Sequence, residues 1–268
     1  MLLGDNGQVD YAQHGQVVKV FTTDTVDTTG GADTISGNQG ADIALGGVQG
    51  DTIYGDNLAK SAGAADGDDV LLGDNGALEW LSTGRLNEIT GIDIEANNPD
   101  LWAKYGSGQA DDDITTLDLV TTQDPSVGGR DTIYGDNGRD MMFGGSDADT
   151  MYGDSGTVGN LSANGNDIMF GDHGRVYPQF SRYMVGGTLL ASDLIFSRNY
   201  FAIDTGNGKR GQGDRMWGEE GDDVMLGQQG DDRMWGGDGN DDMIGGHNVA
   251  GGVDELAGDI AAQLPAVA

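Results

Sequence analysis

The 268-residue sequence has no cysteine, which excludes disulfides, thiolate zinc sites and cysteine catalysis together. It has no run of 18 apolar residues, so no membrane-spanning helix is expected. The opening MLLGDNGQVDY shows no basic stretch followed by an apolar one, and so does not read as a secretory signal peptide. Positive charge is scarce: 13 Lys and Arg stand against 45 Asp and Glu, a formal charge of −32. That balance excludes nucleic acid and anionic membrane as direct partners, since both carry the same sign. Catalytic signatures are also missing. The three histidines, His14, His173 and His247, are scattered without an H-E-x-x-H pair, and no G-x-S-x-G elbow, P-loop or dinucleotide fingerprint occurs. Carboxylates are too many for any two to be singled out as an acid/base pair, and the chain is read as no enzyme.

Glutamate is scarce as well, 6 residues against 39 aspartates, beside 49 glycines. A solvated acidic surface uses both acids, with Glu favoured on helices. A short carboxylate amid glycine points instead to tight loops, where positive φ and close backbone approach are needed. Disorder is the default for acidic, Gly-rich chains. Here the 37% of residues that are hydrophobic recur at fixed places, which argues against it.

Those places define a nine-residue repeat. From Gly206 the chain reads GNGKRGQGDRMWGEEGDDVMLGQQGDDRMWGGDGNDDMIGGH, with Asp214, Asp223, Asp232 and Asp241 nine apart, each followed two residues later by Met216, Met225, Met234 or Met243. A middle block carries Asp131, Asp140 and Asp149, and a first block Asp33, Asp42 and Asp51. Isolated copies carry Asp69, Asp167 and, in a stretched form, Asp254. Six residues ending in Asp make a turn and the next three a short strand, whose central apolar residue points inward at the strand period of two. Two units make one coil, so residues eighteen apart stack.

At these thirteen positions the chain resembles the repeats-in-toxin (RTX) family of hemolysin-type calcium-binding repeats, with its consensus G-G-x-G-x-D-x-U-x, where U is a large apolar residue. The resemblance implies an all-β, right-handed parallel β-roll, a β-helix-like solenoid of nonapeptides interrupted by inserted β-hairpins. It implies several calcium ions as cofactor, each held between loops one coil apart by Asp carboxylates and loop carbonyls. Complete pairs in register are Asp33 with Asp51, Asp131 with Asp149, Asp214 with Asp232 and Asp223 with Asp241; Asp69, Asp167 and Asp254 have no stacking partner visible in register. The alternative is that these aspartates only cap turns. Secretion, by a type I channel, to an extracellular or cell-surface location is implied too. So is membership of a larger polypeptide, because residue 1 enters inside a repeat.

A longer repeat overlies the nonapeptides. LLGDNGQVDY, LLGDNGALEW and MFGDHGRVYP begin at Leu2, Leu71 and Met169, and each replaces the loop-ending Asp by an apolar residue, Val9, Leu78 or Val176. There the chain is expected to leave the roll, in hairpins turning near Gly15 and Gly84, with strands near 189–190 and 193–196 in the third copy. Three blocks follow: 1–66, with a hairpin at 9–20 and nonapeptides at 29–57; 67–163, with an insert at 77–127 and nonapeptides at 128–156; and 164–268, with an insert at 175–205, nonapeptides at 206–247 and a C-terminal cap. Seven of the ten methionines occupy U positions and read as core. Trp217 with Trp235, and Tyr134 with Tyr152, lie eighteen apart and should stack, as packing or as a carbohydrate- or surface-binding ladder. The reading is a calcium-binding structural module that folds on meeting extracellular calcium. Other readings are an adhesin segment binding a carbohydrate or surface ligand, an accessory domain of a secreted hydrolase or epimerase, and a halophilic protein without specific sites.

Overall fold

The structure, a computed structural model, describes residues 1–12, 14–56, 67–80, 117, 119–154, 165–177, 184–185, 188–189, 194–197, 211–246 and 254–257. These residues form 22 strands and no helix. The expected strand near 86–89, the acidic triplet Asp111–Asp113, His247 and the C-terminal tail lie outside the described residues.

Two parallel sheets form a β-roll. One runs in spatial order β1 (Leu2–Leu3), β5 (Ile43–Leu45), β7 (Val70–Leu72), β11 (Met141–Phe143), β13 (Ile168–Phe170), β19 (Val224–Gln228) and β21 (Asp242–Gly246). The other runs β4 (Thr34–Ser36), β6 (Thr52–Tyr54), β10 (Thr132–Tyr134), β12 (Thr150–Tyr152), β18 (Arg215–Glu220), β20 (Arg233–Asp238) and β22 (Glu255–Ala257). The chain alternates between them at each nonapeptide. Most strands are three residues long because the repeat leaves only x-U-x between turns. The U residues of both sheets meet in one core: Ile35, Ala44, Ile53, Leu71, Ile133, Met142, Met151, Met169, Met216, Met225 and Met234 are buried together, with Leu2 and Met243 against them. Unbranched Met fills this narrow interior in seven successive strands without demanding a single shape.

The roll is continuous across every insertion. Ile53 of β6 pairs with Ile133 of β10, Leu71 with Met142, Met151 with Met216, and Met169 with Met225. Excursions from the roll therefore return in register.

A third, antiparallel sheet collects the segments that leave it. Its order is β17 (Leu194–Ser197), β14 (Gly174–Tyr177), β9 (Leu119–Thr122), β8 (Gly76–Glu79), β3 (Val17–Thr22) and β2 (Gly7–Tyr11). The expected hairpin is present as β2 and β3, which pair Val9 with Val20, and Gly15 turns at φ 80°. The second expected hairpin, turning near Gly84, lies outside the described residues, and in the third excursion β14 pairs antiparallel with β17, near the expected strand at 193–196. Strands β8 and β14 flank β9 and join the first hairpin, making one six-stranded surface. A two-stranded ribbon, β15 (Met184–Val185) with β16 (Thr188–Leu189), stands apart. Leu78, Val120 and Val176 of the third sheet pack on Leu45, Leu72, Phe143 and Phe170 from the outer face of the first roll sheet. That second core explains why Leu78 and Val176 stand where the repeat has Asp: a buried apolar layer has no room for a charge.

On the outer face of the other roll sheet, Tyr54, Tyr134, Tyr152, Trp217 and Trp235 stack in one ladder, with ring centroids 4.9, 4.9, 4.8 and 4.7 Å apart. The spacing is that of the strands beneath. The ladder joins the two pairs expected from the sequence into a column of five.

Candidate metal centres

Each nonapeptide turn ends on an aspartate whose backbone N–H emerges toward the next coil. In the structure that N–H donates to Oδ1 of the next aspartate along the roll. One ladder runs Asp33 to Asp51 (2.7 Å), to Asp131 (2.7 Å), to Asp149 (2.8 Å), to Asp214 (2.8 Å), to Asp232 (3.0 Å), to Asp254 (3.2 Å). The other runs Asp42 to Asp69 (2.7 Å), to Asp140 (2.8 Å), to Asp167 (2.8 Å), to Asp223 (2.9 Å), to Asp241 (3.2 Å). All thirteen aspartates singled out in the sequence are thus brought into two columns, seven on one edge and six on the other. Asp69, Asp167 and Asp254, which lacked a visible partner, occupy regular rungs.

A carboxylate has two oxygens, and this bond uses one. The other, Oδ2, is buried without a hydrogen-bond partner in Asp51, Asp131, Asp140, Asp149, Asp167, Asp214, Asp223 and Asp232. Buried carboxylate oxygens in native structures are almost always satisfied, so a repeated orphan on one side of each rung points to a partner that is not a protein donor.

The first glycine of each turn supplies the second half of the geometry. A Cβ built on Gly46 would collide with Oδ2 of Asp51 and the carbonyl oxygen of Gly73 together. Gly73 stands in the same relation to Asp131 and Gly144, Gly144 to Asp149 and Gly171, and Gly153 to Asp167 and Gly218. An orphan carboxylate oxygen and a backbone carbonyl oxygen therefore flank one point where no side chain fits. Among the described residues no three His, Cys, Asp or Glu converge as a metal centre. The donor set is instead a carboxylate mixed with main-chain oxygens, which suits a hard cation such as calcium, with six to eight oxygen ligands.

The electrostatics agree. Burial pushes the carboxyl of Asp51 up to about 7, aided by the charges of Asp33 and Asp5, against the lowering effect of the Asp33 N–H. Asp223 also rises to about 7 and Asp232 to about 6, burial being the main cause in each. Asp131, Asp140, Asp149, Asp167 and Asp214 are driven well above the carboxylate range by burial and by their neighbours' charges. Ionising Asp51 at neutral pH costs about 4 kcal/mol relative to water on that shift. A divalent cation between the rungs removes both causes.

Three further aspartates belong to this neighbourhood and were not picked out as site residues. Asp5, Asp74 and Asp172 follow the first glycine of the GDNG, GDNG and GDHG segments. Oδ1 of Asp5 accepts the N–H of Gly31 at 3.0 Å and Oδ2 that of Val48 at 2.8 Å. Oδ1 of Asp74 accepts from Gly129 at 2.8 Å and Oδ2 from Ser146 at 2.5 Å. Oδ2 of Asp172 accepts from Gln229 at 2.6 Å, and the N–H of Gln212 faces the same carboxylate more loosely. GD-N/H-G followed two residues on by an apolar Val9, Leu78 or Val176, unlike the GDNG at 135–138 that leads to Asp140, was the signal available in the sequence. His173, in the third copy, is buried between turns, its ring 3.5 Å from the hydroxyl of Ser146.

The chain matches the model of the RTX calcium-binding nonapeptide repeat (4 copies) over residues 22–57, 126–157 and 212–246. No curated protein and no solved structure gave a match. The matched stretches carry ten of the thirteen ladder aspartates, and Asp69, Asp167 and Asp254 continue the same two columns outside them. The chain thus carries RTX calcium-binding nonapeptide repeats, all-β, parallel and carboxylate-edged, and through them it is a calcium-binding structural module.

Proposed function

We propose that the module is folded by calcium and serves a larger secreted or surface polypeptide outside the cell. The thirteen ladder aspartates supply the carboxylates, and the glycine carbonyls of the facing turns supply the remaining protein ligands. The observation that carries this reading is the set of eight buried Oδ2 atoms lacking any protein donor. The two ladders contain eleven steps, and one ion per step would bring +22 to a chain of −32. The holo form then stays acidic and soluble. Calcium supplies positive charge and multiple oxygen coordination; the chain's residues do the positioning. Each Asp N–H fixes the next carboxylate, and each first glycine admits the facing carbonyl.

Non-catalytic action follows from the same reading, since the conspicuous charged groups are committed to the ladders. The three central rings of the aromatic ladder, Tyr134, Tyr152 and Trp217, are only 5–9% exposed. Their burial supports packing over sugar stacking. Low calcium in the cytosol and millimolar calcium outside would confine folding to the exterior, where extracellular modules bind at ~10⁻⁴–10⁻³ M.

Ion counting on the calcium-equilibrated chain tests the reading. Several tightly held calcium ions per chain are expected, with magnesium a poor substitute because it demands a smaller octahedral site. Asp149→Asn keeps an acceptor for the Asp131 N–H but removes the charge, and should lower the count. An unchanged count in that variant, or no bound calcium in the parent chain, would defeat the assignment.

A further inference from the structure

Three of the four GD-N/H-G aspartates, Asp5, Asp74 and Asp172, do something the nonapeptide signature does not require. Each stands where the chain leaves the roll, at Asp5 before β2, Asp74 before β8 and Asp172 before β14. Each carboxylate faces the place where the chain returns. The re-entry amides are those of Gly31, Gly129 and Gln212, and two residues beyond each lies the first ladder aspartate after the excursion: Asp33, Asp131 and Asp214.

The fit is close at all three. A Cβ on Gly30, Gly128 or Gly211 would collide with the carboxylate of Asp5, Asp74 or Asp172 respectively. On the far side the same carboxylates hold the next turn on that edge, through the amides of Val48, Ser146 and Gln229. Gly47 and Gly145 lack a side chain where one would strike Asp5 and Asp74. In the third copy Gln228 replaces that glycine, and its side chain bonds instead to the amide of Asp172 and the carbonyl of His173. One carboxylate thus ties three parts of the chain: the exit toward the antiparallel sheet, the re-entry turn, and the next coil.

We propose that Asp5, Asp74 and Asp172 are positioning residues that couple closure of each insertion to calcium binding at the first rung after it. This rests on the calcium reading of the ladders and goes beyond it. The re-entry turn delivers Asp33, Asp131 or Asp214 to the ladder, and the clamp holds its backbone after a long excursion, beside side-chain bonds such as Gln49 to the Gly30 carbonyl and Gln212 to Asp147. Closing the insertion presents the carboxylate in place. Calcium on that carboxylate holds the insertion shut by the same free energy, because linkage between two sites is reciprocal. The antiparallel sheet, made wholly from the leaving and returning segments, is ordered in step with the ions.

Hydrogen exchange on the full chain across a calcium titration separates the possibilities. In the parent chain, peptides spanning β9 (119–122) and the Gly129–Asp131 turn should gain protection at the same calcium concentration. Asp74→Ala should move both midpoints together to about tenfold higher calcium, a loss in keeping with removing charge-assisted bonds, while the turns at Asp33 and Asp214 titrate as before. If β9 loses protection but the Asp131 turn keeps its midpoint, the clamp is local scaffolding and the coupling is refuted. A uniform shift in all three blocks refutes it equally. Asp5→Ala and Asp172→Ala repeat the test in the other blocks should Asp74→Ala fail to fold. A parent chain whose protection ignores calcium would instead overturn the underlying calcium reading, a distinguishable result.

Discussion

At the scale of single residues, the ladder aspartates make the metal-free chain sensitive to acid in an uncommon direction. Most native carboxylates have lowered pKa values, so acid destabilises the fold. Here burial raises Asp51 and Asp223 to about 7 and Asp232 to about 6. A group with a raised folded pKa binds protons more readily in the folded state, so its contribution is full below the unfolded value near 4 and is lost as pH rises toward 7. Without calcium, β structure should therefore appear on acidification from pH 8 to about pH 5. With calcium, protons and ions compete for the same oxygens, and apparent affinity should fall over the same interval. Circular dichroism in chelator, and calcium titrations at pH 7.5 and 5.5, check both signs.

The residue scale is also where the sequence was most legible. A nine-residue period of Asp with an apolar residue two places on identified all thirteen rungs and the inward-facing core. The rung order was legible only within uninterrupted runs. Asp51 and Asp131 are 80 residues apart yet share one hydrogen bond. Loop-closure entropy grows only logarithmically with loop length, so intervening length says little about which turns stack. For the same reason Asp69, Asp167 and Asp254 looked isolated. The GD-N/H-G segments marked Asp5, Asp74 and Asp172, but their partners, backbone amides, leave no trace in side-chain identity.

At the scale of elements, the departures from the repeat carry the most information. Leu78 occupies a loop-ending Asp position yet is fully buried in the second core, between the third sheet and the roll. Restoring the consensus by Leu78→Asp should therefore destabilise the calcium-loaded protein by more than about 3 kcal/mol, since a charge would enter an apolar layer. A variant as stable as the parent in a calcium-saturated melt would show that this layer is not packed as described. The aromatic ladder gives a second test. Trp217 is 5% exposed and stacks between Tyr152 and Trp235. Trp217→Ala should cost about 3–5 kcal/mol in holo stability, with little change in the number of ions bound. Of the antiparallel sheet, the first hairpin and the strand near 193–196, seen as β17, were legible. Strand β9 reads LVTT and carries no repeat, and its pairing with β8 and β14 joins segments far apart in the chain.

At the scale of the whole molecule, two opposing facts have to be reconciled. A chain of −32 buries two columns of its own carboxylates, at the two edges of a roll whose apolar interior is two facing rows of U residues. Such a core is narrow, and like charges a few ångströms apart work against it. Cations between the rungs turn that repulsion into cross-linking and tie folding to binding, as in other small metal-dependent domains. No helix among the described residues is long and apolar enough to cross a membrane. The most direct test is a thermal melt followed by far-ultraviolet circular dichroism, at neutral pH, in excess EDTA and then after calcium is restored. Calcium-driven folding requires the β signal and the cooperative transition to vanish in EDTA and return with calcium but not with magnesium. An unchanged β signal and melting temperature in EDTA would contradict it.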